Sequence, residues 1–517
     1  MKKYILYSVA CLCLSGCSDF LEQDNKSNVP GIEYYETSSG FESLCNAAYS
    51  SLRSIYSDAP WLFEGGTDLF ASGRRSVEIC NLYNQNYSSA DVNVETFYKE
   101  HYKGISLANE VIYWGNDNPD RAERVAEARG LRAFYYLNLV QQFGGVPLTT
   151  QRNMSPISSI ERASQEEVYQ FIIDELKDLT DEASVLVDKA TDGRFNKAAA
   201  WHYLAKTYLC RGYQTKDSKD FTDALNAAKV AGAGQPLTTP FSVLFSNQGE
   251  GNDEVLFYVG YSAETVEDVQ KDGNRQQADY CPYLKGAEAG HKYTTSTLTP
   301  TLWMHEVFNT DTDNPAQDER YEGTFMTELR QSYWDYYDED KKNTSEVLYY
   351  YCPSWKIDEI DEWRAALPSH ANAVVVEMLP LGNSINNEQT SYQSKMATDL
   401  CGVAPFRKFD DIDNGKRYFE TTSSMRDIYL ARLAETNLIA AEACIQLNKP
   451  EEAVTYVNIV RNRAKATPAT ADEMSIDYIL NERARELAGE YLRWTSSGGI
   501  MISCGWERQR GRNAVLR

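Results

Sequence analysis

Histidine is scarce in this chain: five stand among 517 residues, at His101, His202, His291, His305 and His370, with no clustering. His305-Glu306 lacks the second histidine four residues on that a zinc-binding helix requires, which excludes a zincin site. The cysteines show no C-x-x-C or other metal spacing, no glycine-rich phosphate loop is present, and no serine occupies a G-x-S-x-G elbow. Asp311-Thr312-Asp313 and Asp411 to Gly415 place alternate oxygens on turns. The first has Pro315 and no turn glycine, and the second has no distal bidentate acid, so solvated turns are expected and no metal or other cofactor. Positive charge is also short, with 51 Lys and Arg against 75 Asp and Glu for a net −24. That balance becomes −26 once residues 1–16, which carry only Lys2 and Lys3, are removed. Such a surface repels phosphate backbones and excludes nucleic acid as a partner.

The apolar run at the start, Tyr4 to Leu14, has eleven residues and is too short to span a bilayer. It follows Lys2-Lys3 and precedes Ser15-Gly16-Cys17, so Leu14 to Cys17 matches the bacterial lipobox and Cys17 is the expected lipidation site. Residues 1–16 are then a signal peptide and 17–38 a lipidated tether that holds the protein on the membrane. Ser18, Asp19 and Glu22 resemble the surface-export signal of lipoproteins in Bacteroidetes-type bacteria.

Helical periodicity begins near Ser39. It is strongest from Glu123 to Leu148, where Ala126, Ala133, Leu137 and Val140 make one apolar face and Leu131, Phe134 and Tyr135 another. Ala126, Gly130 and Ala133 admit a close neighbour, and Gly144, Gly145 and Pro147 end the helix. Asn196 caps a helix from Lys197, followed by a second over Phe221–Ala231, with small and large apolar residues interlocking as in tetratricopeptide hairpins. The pattern returns at Tyr429–Leu447 and Glu451–Ala466. The expected organisation is an N-terminal helical scaffold over 39–235, a loop-rich insertion over 236–420 and C-terminal helices over 421–494. Glu254–Tyr258 and Val374–Met378 read as short strands in the insertion. The fold class is therefore mainly α.

Two aromatic-rich regions stand apart from these helices. The irregular stretch 58–93 carries Trp61, Asp68 and Tyr83, and the insertion carries Trp334, Tyr336, Trp355 and Trp363. An exposed ring stacks on the C–H face of a sugar while Asp, Asn and Arg hold its hydroxyls, so these seven are the candidate glycan-binding residues.

Segments in fixed order carry a family resemblance: EARGLRAFYYLNLVQQFGGVPL, GRFNKAAAWHYLAKTYL, DERY at 318–321, PFRKF at 405–409, RLAETNLIAAEA, YVNIVRNRA and ILNERARELAGEYLRW at 479–494. The chain resembles the SusD/RagB family of outer-membrane nutrient-binding lipoproteins. The resemblance implies four tetratricopeptide-like hairpins, no catalysis, capture of oligosaccharides or sometimes peptides, and a SusC-like TonB-dependent transporter as partner. It also implies a surface-exposed, lipid-anchored place on the outer membrane. The alternative is a tetratricopeptide-like scaffold or adhesin that binds protein or peptide in a groove between hairpins. Past Trp494 the resemblance stops: residues 495–517 have no apolar period and four arginines against one acid, so a disordered tail is expected. A frameshift or altered gene end would produce it. Reading the coding DNA in its other frames tests this, and the absence of any family-like continuation there would refute it.

Overall fold

The protein is described by a computed structural model over residues 31–56, 61–72, 89–152, 159–262, 273–280, 298–310, 314–378, 403–412 and 424–495. Cys17, Tyr83, the turn 311–313 and the tail from 496 lie outside these residues, with the expectations attached to them. Among the described residues no helix is long and apolar enough to cross a membrane, and no cluster of three or more His, Cys, Asp or Glu is disposed to hold a metal.

The chain is mainly α. The long helices are α1 (Ser38–Tyr56), α2 (Val92–Gly115), α3 (Ala122–Phe143), α4 (Gln165–Thr180), α5 (Lys197–Thr215), α6 (Ser218–Val230), α7 (Leu433–Gln446), α8 (Pro450–Arg463) and α9 (Ile476–Leu487). Their starts are written locally. Asp91 accepts from Asn93 and Val94 N–H, Ser164 and Glu167 form a capping box, Asn196 accepts from Ala199 N–H, and Asp217 accepts from Lys219 N–H. From α1 to α8 each helix packs on the next, and α1, α3, α5 and α7 also touch in series. The result is a stack of four hairpins, closed across the long insertion by α6 against α7.

The central helix α3 is buried on several faces, as its two apolar stripes require. It ends at Phe143, short of Leu148, because Gly144 turns the backbone left-handed at φ 69°. Tyr135 of α3 lies over Gly104 of α2, where an added Cβ would stand 2.6 Å from the ring, and its hydroxyl donates to Ala48 O of α1 at 2.9 Å. A Cβ on Gly130 would stand 2.2 Å from the Phe195 ring. Gly130→Ala is therefore expected to lose about 1–3 kcal/mol of stability, read as a lower urea midpoint at unchanged slope. An unshifted midpoint would mean that α3 and Phe195 are less tightly apposed.

The insertion is tied into this stack by strands. Strand β1 (Phe70–Ser72) pairs antiparallel with β3 (Leu298–Pro300), and β2 (Val255–Val259) pairs antiparallel with β7 (Ile428–Arg432). A mixed sheet runs β4 (Glu328–Arg330), β5 (Val347–Pro353), β6 (Val374–Met378). The two strands read from sequence occur as β2 and β6. The helix read from Tyr429 instead begins at Leu433, because the β-prone Ile-Tyr-Leu-Ala-Arg is extended and fully buried against β2.

Charged side chains sealed from water join the parts. Arg432, 1% exposed, donates to Glu490 at 2.6 and 2.7 Å, to Glu254 at 2.7 Å and to Glu486 at 2.6 Å. Arg320 pairs with Asp318 and Glu482 at 2.7 Å each, and Arg461 and Arg485 hold the other Glu482 oxygen at 2.8 and 3.0 Å. Arg463 bonds Glu254 and Glu486, and Lys408 donates to Glu486 O, Ala488 O and Glu490. Burial disfavours the ionised carboxylates, yet the surrounding guanidinium groups outweigh it and hold Glu482 and Glu486 well below the usual range. Burial pushes the Lys408 ammonium down to about 8 against the pull of Glu490. DERY, PFRKF and NERARELAGE, the segments that carry the resemblance, thus meet in one internal network between insertion and helices.

Candidate functional site

Two of the seven candidate residues, Tyr336 and Trp355, are partly exposed beside one short helix of the insertion. The short helix Glu319–Thr324 is started by Asp318, whose carboxylate accepts from Arg320 N–H and its guanidinium. Trp355 meets Tyr321 of this helix edge-on, ring centroids 4.8 Å apart at 73°. Arg407, whose N–H donates to Thr324 O, donates to Glu322 O at 2.8 Å and to the Tyr336 hydroxyl at 3.2 Å. Its guanidinium lies 5.0 Å from the ring centroids of both Tyr336 and Tyr337. Tyr336 and Trp355 are each partly exposed, and so is Trp303, on the short helix Leu302–Glu306. Burial pushes the Glu306 carboxyl up in pKa, opposed by the nearby polar side chains of Ser354, next to Trp355, and Asn309. Ring edges and faces, a planar cation and a carboxyl therefore lie around one short helix, a composition suited to neutral polyhydroxylated ligands.

The other candidates have structural positions. Trp61 is only 4% exposed, in the buried turn Trp61–Glu64, so its ring offers no stacking face. The stretch 58–93 is accordingly not all surface loop: residues 61–64 are core and 70–72 are strand. Asp68 is held in a bidentate pair by Arg493, Nε to Oδ1 at 2.8 Å and Nη2 to Oδ2 at 2.6 Å. Trp334 is 9% exposed, packed edge-on against Tyr333 and tilted against Tyr337. Trp363 is sandwiched, with Tyr350 at 3.9 Å on one face and His370 at 4.1 Å on the other, and its Nε1 donates to Glu328 at 2.8 Å. With both faces covered it cannot stack on a sugar.

The same contacts explain the end of the family-like pattern. Beside the Arg493–Asp68 pair, Trp494 N–H donates to Phe63 O and its Nε1 to Gly65 O at 2.6 Å, while the Tyr491 hydroxyl donates to Tyr56 O at 3.1 Å. The Tyr-Leu-Arg-Trp terminus of the pattern is a clasp on residues 56–68. Sequence reading did not single out Arg407 or Trp303, both partly exposed in the insertion. The first stands in a segment noted only for its family likeness, and the second differs from its neighbours only in exposure.

Comparison with known proteins agrees with this architecture. The model of the SusD family matches residues 253–496, and the model described as starch-binding, associating with outer membrane, matches residues 19–209. The SusD-like protein P2 of Formosa agariphila is 26% identical over 539 aligned positions, covering 96% of this chain and 90% of that protein. Among solved structures, the surface glycan-binding protein A of Bacteroides thetaiotaomicron in complex with laminarihexaose superposes with a TM-score of 0.64 at 19% identity, covering 90% of each chain. A crystal structure with xylogluco-oligosaccharide gives a TM-score of 0.66 at 20% identity, covering 92% of this chain and 85% of that one. With the two models matched in order along the chain and the helical stack shared with solved relatives, this protein belongs to the SusD/RagB family.

Proposed function

We propose that the protein is a non-catalytic outer-membrane lipoprotein, anchored through Cys17, that binds oligosaccharide at the cell surface and delivers it to a SusC-like TonB-dependent transporter. The observation that carries this reading is the partly exposed set of Trp355, Tyr336 and Arg407 around helix Glu319–Thr324. Relatives of the same fold are described with laminarihexaose and xylogluco-oligosaccharide, which supports a glycan as ligand. Trp355 and Tyr336 supply stacking surface, and Arg407 and Glu306 supply donor and acceptor for ring hydroxyls. Trp61, Asp68, Trp334 and Trp363 act in this reading as supports.

The lipobox supports the anchor, and the family description as associating with the outer membrane supports the location.

Calorimetry of the mature chain against laminari-, xylogluco- and malto-oligosaccharides tests the proposal. At least one series is expected to bind, with Trp355→Ala weakening it roughly ten-fold. Absence of binding to all three, together with binding of a peptide library, would overturn it.

A further inference from the structure

Tyr321 ends the DERY segment but takes no part in the charge pairing that Asp318 and Arg320 supply, and the glycan-binding reading gives it no contact with ligand. It is 5% exposed and built into an aromatic cluster. Phe308 lies at 5.3 Å and 77°, Phe325 at 5.1 Å and 50°, and the tyrosine hydroxyl and His305 Nδ1 hydrogen-bond at 3.2 Å. His305 is itself packed on Phe325, ring centroids 4.0 Å apart. Ring and hydroxyl are both held, so Tyr321 keeps one orientation.

The helix that carries it, Glu319–Thr324, is fixed at both ends. Glu319 N–H donates to Ala464 O, just past α8, and Thr324 O accepts from Arg407 N–H. Between them Arg320 ties the helix to Glu482 of α9. Trp355 has the opposite setting. It stands in the short helix Ser354–Glu359, which has no buried residue, and among the described residues Tyr321 is the one ring in contact with it. A stacking ring serves a sugar best when it is already presented, because ordering a loose side chain on binding subtracts from affinity. Support running from α9 through Arg320 and Tyr321 reaches the surface at Trp355.

We propose that Tyr321 is a positioning residue, whose ring holds Trp355 in its presented orientation and so sets affinity for oligosaccharide without touching it. The inference rests on the glycan-binding reading and deepens it by saying what preorganises the main stacking ring.

Tyr321→Met removes the ring and keeps much of the volume, while Tyr321→Phe keeps the ring. Each is made in the mature wild type and in Trp355→Ala, and calorimetry is run against laminari-, xylogluco- and malto-oligosaccharides. In the wild-type background Tyr321→Met is expected to bind roughly five-fold more weakly and Tyr321→Phe within about two-fold of the parent. Once Trp355 is alanine, Tyr321→Met is expected to cost nothing further, whereas a general loss of structure would lower affinity in both backgrounds. Labelling with 5-fluorotryptophan gives a second readout that needs no glycan. The Trp355 fluorine resonance, assigned by its absence from Trp355→Phe, is expected to be single in wild type and Tyr321→Phe, and shifted and broadened in Tyr321→Met. Tyr321→Leu serves if Tyr321→Met does not fold. Wild-type affinity in Tyr321→Met, an equal loss in the Trp355→Ala background, or an unmoved fluorine resonance would each overturn the positioning role and leave the glycan reading standing. Failure of every oligosaccharide to bind the wild type would overturn the glycan reading, and the fluorine resonance then decides by itself whether Tyr321 holds the ring.

Discussion

Arg432→Met is expected to lose about 3–5 kcal/mol of unfolding free energy, the scale for removing one partner from a buried, hydrogen-bonded charge group. Arg432 is the common partner of Glu254, Glu486 and Glu490, each nearly sealed from water. Without it, Arg463, Lys408 and Arg320, which reaches Glu486 at 3.3 Å and is shared with Asp318 and Glu482, are left to neutralise three carboxylates in a medium that solvates them poorly. Methionine fills much of the volume, so the loss reports charge and hydrogen bonds more than a cavity. Urea unfolding at pH 7 measures it, with Lys219→Ala as control. Lys219 is exposed beside Asp223, and its removal is expected to cost well under about 1 kcal/mol. Equal effects in the two variants would mean that the internal network does not hold the insertion to the helices.

Glu64→Gln is expected to stabilise the protein increasingly as pH rises. Glu64 is fully buried in the turn Trp61–Glu64, and burial raises its carboxyl from 4.5 to about 8, opposed by Arg493 and by amides of the Tyr491–Leu492 segment. The folded state therefore keeps a proton that the unfolded chain releases above about pH 4.5. The stability this provides is complete below that value and is lost as pH rises towards 8. Relative to glutamine, which has nothing to ionise, the wild type is expected to fall behind by on the order of 3 kcal/mol between pH 4.5 and pH 7. Asp427, raised to about 7 by burial, lowers wild-type stability over an overlapping range, and Lys408, depressed to about 8, acts in the opposite sense at higher pH. Both are present in wild type and variant; Asp427 cancels in the difference, and Lys408, whose charge also acts on Glu64, stays ammonium below about pH 8, so the comparison is made below that value. A gap that does not change from pH 5 to pH 8 would mean that the Glu64 carboxyl is already ionised in the folded protein.

The helical stack was legible because its determinants are local. The cap at Asn196, the stop at Gly144 and the apolar stripes of α3 lie within a few residues of what they control. The short strands were less so, since β1 finds its partner more than two hundred residues away and β7 carries its β preference for only five residues. The candidate site was legible in composition but not in exposure. Trp61 and Trp355 look alike in sequence, and only packing makes one a core residue and the other a surface ring. Asp68 reads as a free hydroxyl ligand until Arg493, 425 residues on, closes on it. Trp363 loses its faces to Tyr350 and to His370, neighbours that periodicity does not bring together. His202, one of the scattered histidines, is fully buried and bonds Thr436 and Glu435 across the α5–α7 contact.

The segments that make the family recognisable are therefore those that hold it together. DERY, PFRKF and NERARELAGEYLRW are spent on internal charge pairs and on the clasp over residues 56–68, and the proposed sugar-facing rings stand outside or beside them. Oligosaccharide calorimetry and thermal melting on Trp355→Ala and Asp68→Asn test this separation most directly. The account predicts that Trp355→Ala loses affinity roughly ten-fold at a nearly unchanged melting temperature, while Asp68→Asn melts several degrees lower and binds as the wild type does. Undiminished affinity in Trp355→Ala, with loss of binding in a fully stable Asp68→Asn, would contradict it.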